Sequence, residues 1–229
     1  MTTGNSAIRL VVFDCDGTLV DSQHAIVEAM TQAFAGHSLP LPDAESVRRV
    51  VGLALPEAVA RLMPAHAMDQ TNSVSDAYKD AFTGIRAGPD HDEPLYPGTR
   101  EALKLLLESG AILGVATGKS RRGLQRVLEV HGLRDSFITL KTADDGPGKP
   151  NPRILLDAMA ETGATPESTV MIGDTTYDIE MAVQARALSI GVAWGYHPSN
   201  ELTAAGALRI AQQYGELPKM IANLWETGS

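Results

Sequence analysis

The sequence predicts an α/β protein, a parallel sheet covered by helices on both faces and interrupted once by a helical insertion. Three observations predict it. Residues 8–13 form a short, β-branched apolar run, the pattern of a strand buried on both faces. From residue 97 onward, apolar runs of strand length alternate with stretches of helical periodicity, as in parallel strands joined by crossover helices. Between these, residues 21–92 show helical spacing and no convincing strand. The expected architecture is therefore a three-layer, Rossmann-like core, residues 1–20 and 93–229, with an all-helical cap, residues 21–92, inserted after the first strand.

Each element has a local reason. In the insertion, Ala25, Ile26, Ala29, Met30 and Ala33 recur at helical spacing, as do Ala58, Val59, Leu62 and Met63. Pro40, Pro42, Gly52 and Pro56 punctuate these into short helices. Residues 87–94, with two prolines, a glycine and several acids, read as the return linker. A helix is expected from Gly98 to about Ser109, with Leu103, Leu106 and Leu107 on its apolar face and Gly110 ending it. Residues 111–116 form the second strand. Ser120 caps a helix reaching His131, which Gly132 stops. Residues 137–140 form the third strand. Pro152 is expected at the first position of a helix that ends near Gly163. Residues 169–172 are a strand, 175–187 a helix and 189–192 a strand. A weaker strand at 208–210 and a helix at 217–224 complete the chain.

Composition narrows the function. The chain has 229 residues, 44% hydrophobic and 21% charged, as in ordinary globular proteins. Its formal net charge is −9, and no Lys/Arg run exceeds a pair, so no nucleic-acid partner is expected. No apolar run reaches the roughly 18 residues of a membrane span. Residues 1–10 lack a basic region followed by an apolar core, so no secretory signal is expected. The single cysteine, Cys15, fits a reducing compartment and reads as a small buried core residue. The chain reads as cytoplasmic, with a monomer as the default.

The chemistry-bearing residues fall at strand ends. Asp14 and Asp16 follow the first strand, and Thr117-Gly118-Lys119 the second. Gly148-Lys149-Pro150 lies on the loop past the third, and Gly173-Asp174-Thr175-Thr176-Tyr177-Asp178 follows the fourth. Taken singly, each has an ordinary role as a turn residue, cap or loop lysine. A parallel sheet, however, brings all four to one edge, where open α/β sheets bind ligands. Crowded carboxylates repel one another unless a cation sits among them. Oxygen-only ligands favour a hard ion, and Mg²⁺ suits a site with few carboxylates.

These four segments, in this order and spacing, resemble the four motifs of the haloacid dehalogenase superfamily. The helical insertion and residues 191–196 (Gly-Val-Ala-Trp-Gly-Tyr) resemble its phosphoglycolate phosphatase-like branch. The resemblance implies a Mg²⁺-dependent phosphatase acting on a small phosphorylated metabolite. Asp14 is then the nucleophile that forms an aspartyl-phosphate, and Asp16 the general acid and base. Thr117, the Gly118 N–H and Lys149 hold the phosphoryl oxygens. Asp14, the Asp16 carbonyl, Asp174 and Asp178 hold the metal. Asp16 argues against a dehalogenase, whose halide leaving group needs no proton.

The alternative is a sugar-phosphate mutase, of the β-phosphoglucomutase kind. Such members place an arginine in the cap loop that follows a glycine. Here that loop carries Leu55 instead. A non-catalytic protein that binds a phosphorylated ligand is a third reading, opposed by the intact constellation. His24, Arg48, Arg49 and Arg61 are the cap-side candidates for substrate selection, with phosphoglycolate the family-level expectation.

Overall fold

The computed structural model describes residues 8–88 and 92–227. Residues 1–7, read above for a leader, and 89–91 of the return linker lie outside the described residues. Six strands form one parallel sheet: β1 (Leu10–Phe13), β2 (Ile112–Ala116), β3 (Thr139–Lys141), β4 (Thr169–Gly173), β5 (Leu188–Val192) and β6 (Arg209–Ala211). Their order is β3-β2-β1-β4-β5-β6. All four residues of β1 are buried, as its unbroken apolar pattern requires of a central strand. One face of the sheet packs Val11, Phe13, Leu113, Val115, Ile172 and Ile190 into the larger core cluster. The other packs Leu10, Val12, Ala116 and Met171 against a second.

Between β1 and β2 the chain forms α1 (Gln23–Gly36), α2 (Ala44–Val50), α3 (Leu55–Leu62) and α4 (Thr71–Ala87). They enclose a core of their own, built on Ile26, Met30, Phe34, Val47, Val59 and Val74. The helices α1 and α4 pack along each other. The chain leaves and re-enters the sheet region by two segments lying side by side. Val20 bridges Leu95 antiparallel. The Asp21 N–H donates to the Pro94 carbonyl at 2.9 Å, and the Tyr96 N–H to the Leu19 carbonyl at 3.1 Å.

The helices that flank the sheet are α5 (Thr99–Glu108), α6 (Arg121–Val130), α7 (Arg153–Thr162), α8 (Thr176–Gln184), α9 (Ser199–Ala204) and α10 (Leu217–Thr227). Of these, α5 precedes β2. Ser120 caps α6 as expected, accepting from the Gly123 N–H.

Several boundaries differ from expectation. The first strand begins at Leu10, where pairing with Ile112 and Thr169 starts, and Ile8 is exposed. Phe137 precedes the third strand, which starts two residues later than expected and ends one later. Its apolar character serves packing, edge-to-face on Phe13 at 6.4 Å. Pro152 is the N-cap of α7 rather than its first residue. The helix α8 stops at Gln184, because Arg186 takes a positive φ of 59°. The short helix α9 has too few apolar positions to show periodicity and was not expected.

Candidate active site

Strand register places the motif residues. Phe13 is level with Val115 and Ile172, so Asp14 stands one residue past the aligned ends, and Thr117 and Asp174 two. The Asp14 N–H still belongs to the sheet, donating to the Ile172 carbonyl at 2.9 Å. The chain then turns through Gly17, whose φ is +80°. A side chain there, or at Gly195, would fall on the Asp174 carboxylate. Both positions need glycine so that backbone can close around that acid.

Asp14, Asp174 and Asp178 are buried, and one carboxylate oxygen from each lies within 4.8 Å of the others. Lys149, fully buried, joins two of them: its Nζ is 2.8 Å from Asp14 Oδ1 and 2.6 Å from Asp178 Oδ1. Asp178 Oδ2 accepts from the Thr175 hydroxyl at 2.7 Å and the Thr175 N–H at 3.1 Å. Asp174 accepts from the Thr18 hydroxyl at 2.7 Å and the Tyr196 N–H at 2.9 Å. Asp14 Oδ1 also accepts from the Cys15 N–H at 2.6 Å. Asp14 Oδ2 is buried without a hydrogen-bond partner. An orphaned, buried carboxylate oxygen is costly unless a ligand or ion satisfies it.

The electrostatics agree. Burial pushes the Asp14 carboxyl up to about 7; Lys149 opposes the rise and Asp178 adds to it. Burial, together with the Asp178 and Asp14 charges, holds Asp174 well above the usual carboxylate range. Burial works against the Lys149 charge, but Asp14 and Asp178 more than restore it. Three carboxylates and one ammonium leave a negative surplus that a divalent cation would relieve. The donor set, all oxygen, fits such an ion.

Asp16 lies apart from this trio. Its carboxylate pairs with Lys119 Nζ at 2.9 Å and accepts from the Ser22 hydroxyl at 2.5 Å. Burial would raise its pKa, but Lys119, Ser22 and Arg86 outweigh that and leave it lowered. Lys119 also faces Glu93 at 3.7 Å, and Glu93 pairs with Arg86 at 2.5 Å. Asp16 is thus tied to both segments that connect the cap helices to the sheet. This chain of ion pairs was not foreseen from the sequence. Lys119 stood in a quoted motif, but nothing local signalled its partner.

Thr117 is buried, and its hydroxyl accepts from the Lys119 N–H at 3.2 Å. Gly118 sits beneath the cap: a Cβ there would be 2.9 Å from the Gly52 carbonyl and 3.0 Å from that of Leu53. At Gly148 a Cβ would come within 2.8 Å of the Ala54 side chain. The loop 52–54 therefore rests directly on both glycine turns. Gly148→Ala is expected to hold this loop off the sheet and lower kcat/KM by about 10²-fold, as for a ~1 Å misplacement. Steady-state kinetics against wild type checks it.

A cleft of about 540 Å³ separates the cap helices from the strand ends, with Asp14, Asp16, Thr117, Gly118 and Lys119 in its floor. None of the four cap-side candidates lines it. Arg48 pairs with Glu45, Arg49 with Glu201 and Arg61 with Glu57, and His24 is exposed. Arg61 and Arg49 instead meet α8 on the outer side. The Arg61 guanidinium donates to the Tyr177 hydroxyl at 3.0 Å, and that hydroxyl donates to the Arg49 carbonyl at 3.0 Å. The charged side chains in the cleft wall are Lys79 and Arg86 from the cap and Arg122, Arg126 and Asp144 from the core.

Buried carboxylates gathered at the carboxyl edge of a capped parallel sheet, where the strand order reverses beside β1, define the class: an open, parallel-sheet α/β protein with its ligand site at the switch point. Residues 11–192 match the family described as haloacid dehalogenase-like hydrolase, and the chain belongs to that family. It is 35% identical over 209 residues, 91% of each chain, to a protein of Dickeya dadantii named probable phosphatase IndB. It is 28% identical over 221 residues to a phosphoglycolate phosphatase of Vibrio parahaemolyticus, covering 94% of this chain and 96% of that one. Among solved structures, a predicted phosphatase from Clostridium acetobutylicum superposes with a TM-score of 0.83 at 27% identity, over 95% of this chain and 100% of that one. A putative β-phosphoglucomutase from Bacteroides vulgatus shares the fold, with a TM-score of 0.79 at 21% identity, over 97% and 90% of the two chains. No helix among the described residues is long and apolar enough to cross a membrane.

Proposed function

We propose that the protein is a Mg²⁺-dependent phosphatase that hydrolyses a small phosphomonoester through an aspartyl-phosphate. One observation carries the reading: the orphaned oxygen of Asp14, buried among Asp174, Asp178 and Lys149 at the floor of the cleft. The phosphatase names of the full-length relatives support it.

Asp14 attacks phosphorus, and the alcohol leaves with a proton from Asp16. Asp16 then takes a proton from the water that attacks the phospho-aspartate, releasing phosphate and restoring Asp14. Its lowered pKa keeps it ionised, the form that the second step requires. For the first, the dianionic phosphoryl group of a bound ester competes for Lys119 and raises the proton affinity of Asp16. Thr117, the Gly118 N–H and Lys149 hold the phosphoryl oxygens. Asp14, the Asp16 carbonyl, Asp174 and Asp178 would hold Mg²⁺, whose charge offsets the negative charge of the reacting group. Residues 21–92 serve as a cap over a core of residues 1–20 and 93–229, and the paired crossings at 20–21 and 94–95 are its hinge.

No observation favours the mutase reading. Leu55, which stands where such members place an arginine, lines the cleft. Phosphate release from a panel of esters, with Mg²⁺ and with EDTA, tests the proposal. Release is expected only with the metal, and Asp174→Asn should raise the Mg²⁺ concentration for half-activity by at least about tenfold, the order of effect of altering a metal's supporting ligands. Equal release in EDTA, or an unchanged metal dependence in the variant, overturns the assignment.

A further inference from the structure

The cleft is larger and more apolar than a glycolate ester needs. At about 540 Å³ it falls within the roughly 300–1,000 Å³ that encloses ligands of drug size. The cap side of its wall is carbon-rich: Ile26 and Met30 from α1, Val50 from α2, Leu53 from the following loop, and Tyr78 and Phe82 from α4.

Tyr78 and Phe82 lie one helical turn apart, with ring centroids 5.6 Å apart and planes 16° from parallel. Both are half-buried rather than sealed in the cap core, so their remaining surface belongs to the cleft. The Tyr78 hydroxyl has no hydrogen-bond partner among the described residues. The Phe82 ring also meets two cations. The Arg86 guanidinium sits 4.7 Å from the Phe82 centroid, and Lys119 Nζ 5.3 Å from it.

The cations of the cleft do not form a second anion site. Lys119 and Arg86 are committed to Asp16 and Glu93, and Lys79 to Asp76. Arg122 and Arg126, which have no carboxylate partner among the described residues, are solvent-exposed, where water and salt screen them. A leaving group seated here meets a stacked aromatic pair and aliphatic side chains before it meets an available charge.

Resting on the phosphatase reading above, we propose that the leaving alcohol of the preferred ester carries an aromatic or similarly flat apolar body, seated against Tyr78 and Phe82. Ring-on-ring contact and removal of apolar surface from water provide the selectivity, and both are absent for a glycolate.

The test compares ethyl phosphate, 2-phenylethyl phosphate and phosphoglycolate on the full chain with Mg²⁺. The first two alcohols differ little in leaving ability, so the comparison isolates the apolar body. For 2-phenylethyl phosphate kcat/KM is expected to exceed that for each of the others by roughly tenfold or more, mainly through KM. Tyr78→Leu and Phe82→Leu, which keep the helix packed, should each cut the phenylethyl-to-ethyl ratio by about threefold or more. A ratio needs no assumption about overall activity. Inhibition by 2-phenylethylphosphonate against ethylphosphonate gives the same comparison without any variant, and a roughly tenfold lower inhibition constant is expected. Ratios near one, or phosphoglycolate as the best substrate, overturn this proposal and leave the phosphatase reading standing. Absence of metal-dependent release from every ester overturns that reading and this one with it.

Discussion

Asp14→Asn is expected to lower phosphate release by at least about 10⁴-fold, the scale seen when a nucleophile is removed from a group of residues acting together. The change is nearly isosteric. The amide keeps an oxygen that can accept from the Cys15 N–H, which approaches Asp14 at 2.6 Å. It removes one charge that pairs with Lys149, but Asp178 still balances the ammonium at 2.6 Å, so the loss falls on chemistry more than on folding. It also lowers the negative surplus of the trio, so the metal-free variant should resist urea at least as well as metal-free wild type. Single-turnover phosphate release and urea denaturation in EDTA check both parts. Appreciable turnover by the pure variant would remove the covalent mechanism.

Lys149→Met is expected to do the opposite to stability. The ammonium is fully buried, 2.8 Å from Asp14 and 2.6 Å from Asp178. Methionine nearly fills the volume but leaves two buried carboxylates without their counter-charge. Breaking a buried pair in this way costs about 3–5 kcal/mol. Much of that cost should appear in EDTA, while Mg²⁺ at about 100 times its Kd should return about 2.7 kcal/mol by binding the folded state. Denaturant titrations with and without metal measure both. A loss of less than ~1 kcal/mol in EDTA would show that the carboxylates take up protons and do not need the lysine. Activity should fall in either condition, because in the proposed mechanism the lysine also holds the phosphoryl oxygens.

These two predictions draw on different levels of the chain. That Asp14, Thr117, Lys149 and Asp174 meet at one edge was legible in the sequence. Each follows a strand-length apolar run in a chain that alternates strand and helix, and parallel strands share one carboxyl edge. The cap was legible for a similar reason: residues 21–92 carry helical spacing and no strand pattern. Patterns of period two and 3.6 depend on neighbours a few residues away, and the sequence displays them directly.

Only the tertiary structure decided what those residues touch. The family resemblance assigns Asp178, one turn into α8, to the metal, but only the structure sets it against Lys149, 29 residues away. Asp16 stands one residue from Asp14 in the sequence, but its carboxylate turns to Lys119 and Ser22. Arg48, Arg49 and Arg61, candidates on the cap side, are each paired with an acid outside the cleft, while Tyr78 and Phe82 line it. The physical reason is common to all of these. Secondary structure and strand order are written in local periodicity. The pairing of buried charges and the makeup of a cleft wall depend on how a cap and a sheet, far apart in sequence, come to face one another.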